Sequence, residues 1–407
     1  MKKLSLSVIA LTLLLCACTS QPKNEALKPG NWLFQLQIDK EKPKLTVPFN
    51  VEVVDKNNLL IKNADERIEV NEITYKNDSI FIKNPVFGSE FKGKITGDKI
   101  TGEYWNYNKS KVKPIPFNAQ YGITERFQKV KEPQVDFSGS WQATFGSGER
   151  SSSAIGVFQQ EGDISTGTFQ TEVGDYRYLE GVVDGNTMKL SCFDGAHAFL
   201  FTATQNNGKI EGMFYSGDTW KQPWTAERTD NPELGDMKTL TYLKEGYDKF
   251  TFAFPNDKGE TISLEDKRYK GKVVIAQIFG TWCPNCMDET RYLVELYKKY
   301  NPKGLEIIGL DFETKHDFDY FKTRIERFRN DLNVPYELLL AGPANKKLAA
   351  EALPMLNKVI SYPTAIFIDK AGNVREIHTG FSGPGTGEDY EHYKKETEAL
   401  VQKLLSE

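Results

Sequence analysis

The chain has 407 residues, enough for two or three domains, and a formal net charge of −4 from 52 basic and 56 acidic side chains interspersed along it. No long basic run is present, which argues against nucleic acid as a partner. Five cysteines, two of them Cys16 and Cys18 near the start, are too few for a disulfide framework.

The N-terminus reads as a targeting segment. Met1-Lys2-Lys3 is a basic start, and 4–15 is an apolar run too short to span a bilayer comfortably. It ends at Leu15-Cys16-Ala17-Cys18, an aliphatic residue and two small positions before a cysteine, with Cys16 unusual at a small position. That pattern resembles the bacterial lipoprotein signal. The resemblance implies removal of 1–17, acylation of Cys18, and a soluble body held by lipid on the periplasmic side of the cell envelope. Thr19 rather than Asp follows, so the outer membrane is the expected one. An ordinary cleaved signal peptide is the alternative, and either takes the chain to a compartment where disulfides persist.

A polar tether, 18–29, leads into 30–122, where short runs alternate apolar and polar residues between turn signals such as Gly97-Asp98. After a charged link at 129–135 the pattern recurs over 137–228. Gly30-Asn31-Trp32 is matched by Gly139-Ser140-Trp141, and Pro116-Phe117-Asn118-Ala119 by Pro223-Trp224-Thr225-Ala226. This predicts a tandem antiparallel β region resembling lipocalin-like meanders. Each copy closes its own barrel or sandwich, or the two share a larger one. Trp32, Trp105, Trp141, Trp220 and Trp224 are expected in barrel core and girdle, a ligand cavity being the alternative. Cys192 is expected to be a small buried strand residue.

A second link, 229–246, precedes a change of pattern over 247–407. The run 272–279 is almost wholly apolar, as a strand covered on both faces should be. Gly280-Thr281-Trp282 stops it, and 287–300 reads as an amphipathic helix with Leu293, Leu296 and Tyr297 on one face. Strands are predicted at 305–310, 336–340, 364–369 and 374–378, and helices at 318–328, 348–356 and 390–405, giving an α/β sheet covered by helices. The expected fold class is therefore multidomain, all-β then α/β.

Cys283-Pro284-Asn285-Cys286 falls where that first strand gives way to its helix. Unpaired N–H groups and the dipole at a helix start favour an anion, and cysteines so placed commonly have pKa values of ~3.5–7.5. Cys286, one turn further in, is close enough to close a disulfide with Cys283. Such a pair exchanges electrons with other disulfides: Cys283 attacks and the less exposed Cys286 resolves. Trp282 would shield the sulfur on one side. Half a zinc site is the rival, but Cys192, His197, His316, His378 and His392 lie at no zinc-finger spacing. Neither a metal nor a cofactor is expected.

Four features in order carry a resemblance over 247–407: Phe252-Ala253-Phe254-Pro255 with Gly259-Glu260-Thr261-Ile262-Ser263-Leu264, then Gly271-Lys272-Val273-Val274, then the cysteine motif, then Tyr362-Pro363-Thr364 before an apolar strand. The segment resembles the TlpA/ResA-like thiol-disulfide oxidoreductases of the thioredoxin superfamily, with their redoxin or AhpC-TSA-like domain. The resemblance implies a Cys283–Cys286 disulfide and a cis Pro363. It also implies a client segment laid along Trp282, Tyr362 and Thr364, pairing with the Tyr362 backbone, and a role for Glu289 in handling the proton of the resolving thiol. Thioredoxin itself keeps an acid where this chain has Gln277, which shifts that role toward Glu289. Implied partners are protein disulfide and dithiol clients and a membrane dithiol donor, with reduction as the expected direction. The alternatives are a peroxiredoxin-like thiol peroxidase, a purely structural disulfide, and a β-domain binding lipoprotein with a non-catalytic redox module.

Overall fold

The structure, a computed structural model, describes residues 26–39, 41–42, 45–109 and 111–407. The expected signal segment 1–17 and Cys18 lie outside the described residues.

Alternation of apolar and polar residues builds an all-β region, as expected, of two nine-stranded sheets. In the first, Gly30–Gln37 pairs with both Thr46–Asp55 and the last strand, Ile115–Tyr121, so the meander curls back on itself. It stays open between Glu66–Val70 and Glu72–Lys76, which end the sheet on either side. Only Asn71 separates these two strands, and a hairpin needs at least two loop residues, so they cannot pair. Exposed Arg67, Glu69, Glu72 and Lys76 line the resulting edges, which deters further strand addition.

The second sheet closes. Ser152–Glu161 pairs with Gly139–Phe145 on one side and with Ile164–Thr171 on the other, completing a ring. The two-residue strand Gly174–Asp175 hangs on Ile164–Thr171. Of the two outcomes expected for closure, separate units apply, one shut and one open.

The tryptophans divide. Trp32, Trp141 and Trp224 are core, whereas Trp220 is 58% exposed. Trp32 Nε1 donates to the Lys28 carbonyl (3.0 Å) and Trp141 Nε1 to the Phe137 carbonyl (2.8 Å), the same bond at the same offset in the two sheets. Cys192 is buried in the second barrel, as expected. The sheets pack on each other through Phe193, whose ring lies 4.4 Å from Phe49, and through Arg126. That buried guanidinium donates to Asn50, Glu180 and the carbonyls of Lys62 and Ser191.

The C-terminal domain is a five-stranded sheet in the order Glu337–Pro343, Leu305–Glu313, Val273–Phe279, Thr364–Ile368, Val374–Thr379. The first three strands run parallel and the last two antiparallel to their neighbours, so the sheet is mixed. Along the central strand, Val273, Ile275 and Phe279 enter one apolar cluster, and Val274, Ala276 and Ile278 the other. Burial on both faces explains the unbroken apolar run, each such side chain contributing about 1.5–3 kcal/mol relative to exposure. The helix expected at 348–356 is instead Lys346–Ala352. Pro354 disfavours helical backbone at Leu353, which leaves the helix there with φ −121° and ψ 67°.

Candidate active site

Cys283 is the N-cap of the helix Pro284–Tyr300. Pro284 follows at the first helical position, where a missing N–H costs nothing. The Cys286 backbone N–H donates to Cys283 Sγ at 3.3 Å, a contact that stabilises a thiolate. In its thiol form Cys283 Sγ donates to the Tyr362 carbonyl at 3.4 Å. Thr364 pairs with Ile278 and thereby sets Pro363 beside the end of the central strand, where the cysteine turn departs. The Tyr362–Pro363 peptide bond is cis. Cys283 is 6% exposed and Cys286 fully buried. Burial, and then the neighbouring Cys283, push the Cys286 thiol well above its usual range, with the Glu289 charge adding to the effect.

Trp282 donates its indole N–H to the Phe312 carbonyl (2.9 Å) and meets the Tyr362 ring edge-on at 5.5 Å. The Thr364 hydroxyl donates to the Ser361 carbonyl (3.0 Å), closing the turn around Pro363. Glu289, on the second turn of that helix, is fully buried. Gln277 Nε2 and the Tyr393 hydroxyl donate to its two oxygens at 2.8 and 3.1 Å. Burial raises its carboxyl to about 7 against the pull of those two donors. The Thr290 hydroxyl donates to Gln277 Oε1 (3.1 Å), which turns the Gln277 amide nitrogen toward Glu289.

Three groups of residues escaped the sequence reading. On the far side of the cysteine turn, Asp311 and Glu313 are both fully buried. Glu313 accepts from the hydroxyl of Thr281, whose side chain also receives Arg324 Nε at 3.2 Å. Neither Asp311 oxygen has a protein hydrogen-bond partner, and burial followed by the charge of Glu313 pushes its carboxyl well above the usual range. Two acids within three residues at the end of a strand whose middle is apolar were a signal that could have been read. Arg177, from the second barrel, bonds Asp288 on the active-site helix, two residues past Cys286. Asp175 and Val173 touch the cysteine turn and the Pro363 loop. No local pattern marks these last residues. Among the described residues no cluster is fit to hold a metal ion, and no helix is long and apolar enough to cross a membrane.

Residues 247–377 match the AhpC/TSA family. Thiol-disulfide oxidoreductase ResA of Bacillus thuringiensis subsp. konkukian (strain 97-27) is 34% identical over 156 residues, which cover 38% of this chain and 78% of that protein. This chain belongs to the thiol-disulfide oxidoreductases, by way of its thioredoxin-superfamily C-terminal domain. ResA of Bacillus subtilis (strain 168) is 26% identical over 148 residues, covering 36% of this chain and 74% of its own length. Among solved structures, a thiol:disulfide interchange protein of the thioredoxin family from Chlorobium tepidum TLS aligns with 40% of this chain and 98% of its own, at 19% identity and a TM-score of 0.31. The thiol-disulfide oxidoreductases it matches make the chain a redox enzyme that acts on thiols and disulfides.

Proposed function

We propose that this oxidoreductase is a reductase of protein disulfides, anchored by a lipid on Cys18 to the periplasmic face of the outer membrane. The Cys283 thiolate attacks a client disulfide. A Cys283–client S–S bond forms, the client's own S–S bond breaks, and the departing client thiolate takes a proton from water. Glu289 as carboxylate then removes the Cys286 proton. The Cys286 thiolate attacks Cys283 Sγ, the Cys283–Cys286 disulfide forms, and the second client thiolate leaves and is protonated. The client gains two electrons and two protons, and a membrane dithiol of the donor class restores the enzyme. Trp282 and Tyr362 flank the attacked sulfur, and the Tyr362 backbone pairs with an extended client segment.

The observation that carries this reading is Glu289, buried behind the resolving cysteine with its carboxyl raised to about 7. A group with that value is ionised enough to take a proton and basic enough to hold it at neutral pH. Peroxidase activity is the second reading, favoured by the AhpC/TSA family match. Against it stands Thr281, whose hydroxyl donates to Glu313.

The test is reduction of insulin disulfides by the full chain and by Cys283→Ser. The wild type is expected to turn over and the variant to be inert; equal rates end the reductase reading. Cys286→Ser is expected to accumulate a mixed disulfide with its client through Cys283. Hydrogen peroxide consumption faster than insulin reduction would favour the peroxidase instead.

A further inference from the structure

The β region does more than precede the redox domain; it lies on the redox face. The turn at 172–177 of the second barrel bridges the two sides of the cysteine site. Asn285, between the cysteines, donates its amide to the Asp175 carbonyl at 3.3 Å. Ser361, two residues before Pro363, donates its hydroxyl to the Val173 carbonyl at 2.7 Å. The Gly383 N–H donates to Asp175 Oδ2 at 2.7 Å. The approach is so close that side chains had to be omitted on both surfaces. A Cβ on Gly174 would stand 2.6 Å from the Asn285 amide nitrogen, and one on Gly380 would stand 2.7 Å from the Val173 backbone.

Two residues grip the redox domain from the β side, and both have backbones that L side chains rarely adopt. Arg177 (φ +60°) bonds Asp288, Glu66 and the Pro284 carbonyl. Val86 (φ +60°), from the first sheet, receives Arg324 on its carbonyl and donates its N–H to Asp331. Non-glycine residues held there persist only where their surroundings impose it, and they gather at clamps and switches. Around the turn the contacts are polar and charged, groups that water can satisfy again once the turn lifts, whereas Val86 and Phe87 of the first sheet pack into the redox domain's apolar cluster and hold the two regions together. The turn is anchored to its barrel at Tyr176, which packs against Phe145, Phe169 and Phe201 and donates its N–H to the Phe169 carbonyl at 2.9 Å. The tip before it is held by two paired positions, Gln170 with Asp175 and Thr171 with Gly174, so the tip can hinge on Tyr176. Val173 at its tip is 40% exposed.

We propose that the 172–177 turn is the specificity element of the redox site, an inference that rests on the reductase reading above. Docked, it fills the groove beside Pro363 in which an extended client segment would lie. Small disulfides reach Cys283 past it, and disulfides in proteins are reduced only when it lifts.

The experiment compares kcat/KM of the full chain for insulin and for hydroxyethyl disulfide in wild type, Asp175→Ala and Gly174→Ala. The first substitution removes the Gly383 bond, and the second strains the turn's backbone at φ +145° and displaces the Asn285 amide from it. Expected is a rise of tenfold or more for insulin in both variants, with the small disulfide changed less than twofold. Insulin kinetics unchanged or slowed in variants with wild-type melting curves overturn the turn's role and leave the reductase reading standing. A wild type inert on both disulfides overturns both. Should the variants not fold, hydrogen exchange of the 172–177 amides in Cys286→Ser, free and trapped as the mixed disulfide that forms when Cys283 opens a disulfide of native insulin, replaces them. Loss of protection in the trapped form is expected, and unchanged protection overturns the proposal.

Discussion

Gln277 donates its amide to Glu289 across 2.8 Å, tying the middle of the central strand to the second turn of the active-site helix. The position where thioredoxin keeps an acid thus holds a neutral donor, and the acid sits on the helix instead. With the carboxyl raised to about 7 by burial, the resolving step gains its base as pH passes through neutrality. Glu289→Gln is expected to lower kcat for insulin reduction by about 10²-fold at pH 7.5, the usual scale for a lost general base. It should also remove the inflection near pH 7 from the pH–kcat profile. A variant that keeps both inflection and amplitude shows that another group handles the proton.

The same residue makes stability depend on pH. Its folded value is raised to about 7 from an ordinary 4.5, so the native state prefers it protonated. That preference is fully present below pH 4.5 and is lost as pH rises through 7, a change of about 3 kcal/mol at 1.36 kcal/mol per pKa unit. Urea unfolding of wild type and Glu289→Gln at pH 4.5 and 8 measures it. The variant's stability relative to wild type is expected to improve by about that amount at the higher pH. A difference that does not move with pH would mean the carboxyl is not held in this way.

Asp311 and Glu313 are two buried carboxyls within the field of the Arg324 guanidinium, which itself bonds the Thr281 hydroxyl rather than either acid. Asp311 is the member without a hydrogen-bond partner and with the raised carboxyl. Like Glu289, it favours the fold when protonated and opposes it once ionised. Asp311→Asn keeps the shape and removes the acid. It is expected to stabilise the protein above neutral pH by about 1 kcal/mol or more, ~2–4 °C in Tm for a domain of 150–250 residues. The gain should vanish at pH 4. Scanning calorimetry at the two pH values decides it, and a destabilised variant at pH 8 would show that the ionised Asp311 is itself needed by the fold.

Local spacing explains what could be read in advance. Cys283, Cys286 and Glu289 share a helix, so their relation follows from 3.6 residues per turn, and Pro363 is flagged by the apolar strand just behind it. The all-β to α/β succession follows from the switch in periodicity at the second link. Closure did not, because strands alternate the same way in an open sheet as in a barrel. The opening in the first sheet depends on a single residue, Asn71, between two strands. The docking of the β region was also beyond reach. Arg177 meets Asp288 across 111 positions of sequence, and nothing near either residue announces the other.

Arg177 supplies the last prediction. It is buried among the carboxylates of Glu66, Asp194 and Asp288. Burial raises Glu66, whereas Asp194, despite its burial, is held down to about 2 by His197 and by Arg177. Arg177→Met leaves three carboxyls facing one another without their cation, a loss that in buried ion pairs costs about 3–5 kcal/mol. Their repulsion is relieved when one of them binds a proton, so the cost is expected to be larger at pH 7.5 than at pH 5. For the same reason Glu66→Gln added to Arg177→Met should recover part of the stability. Denaturant unfolding of the single and double variants at both pH values tests this. A cost that is the same at the two pH values, and that Glu66→Gln fails to reduce, would assign Arg177 to packing rather than to charge.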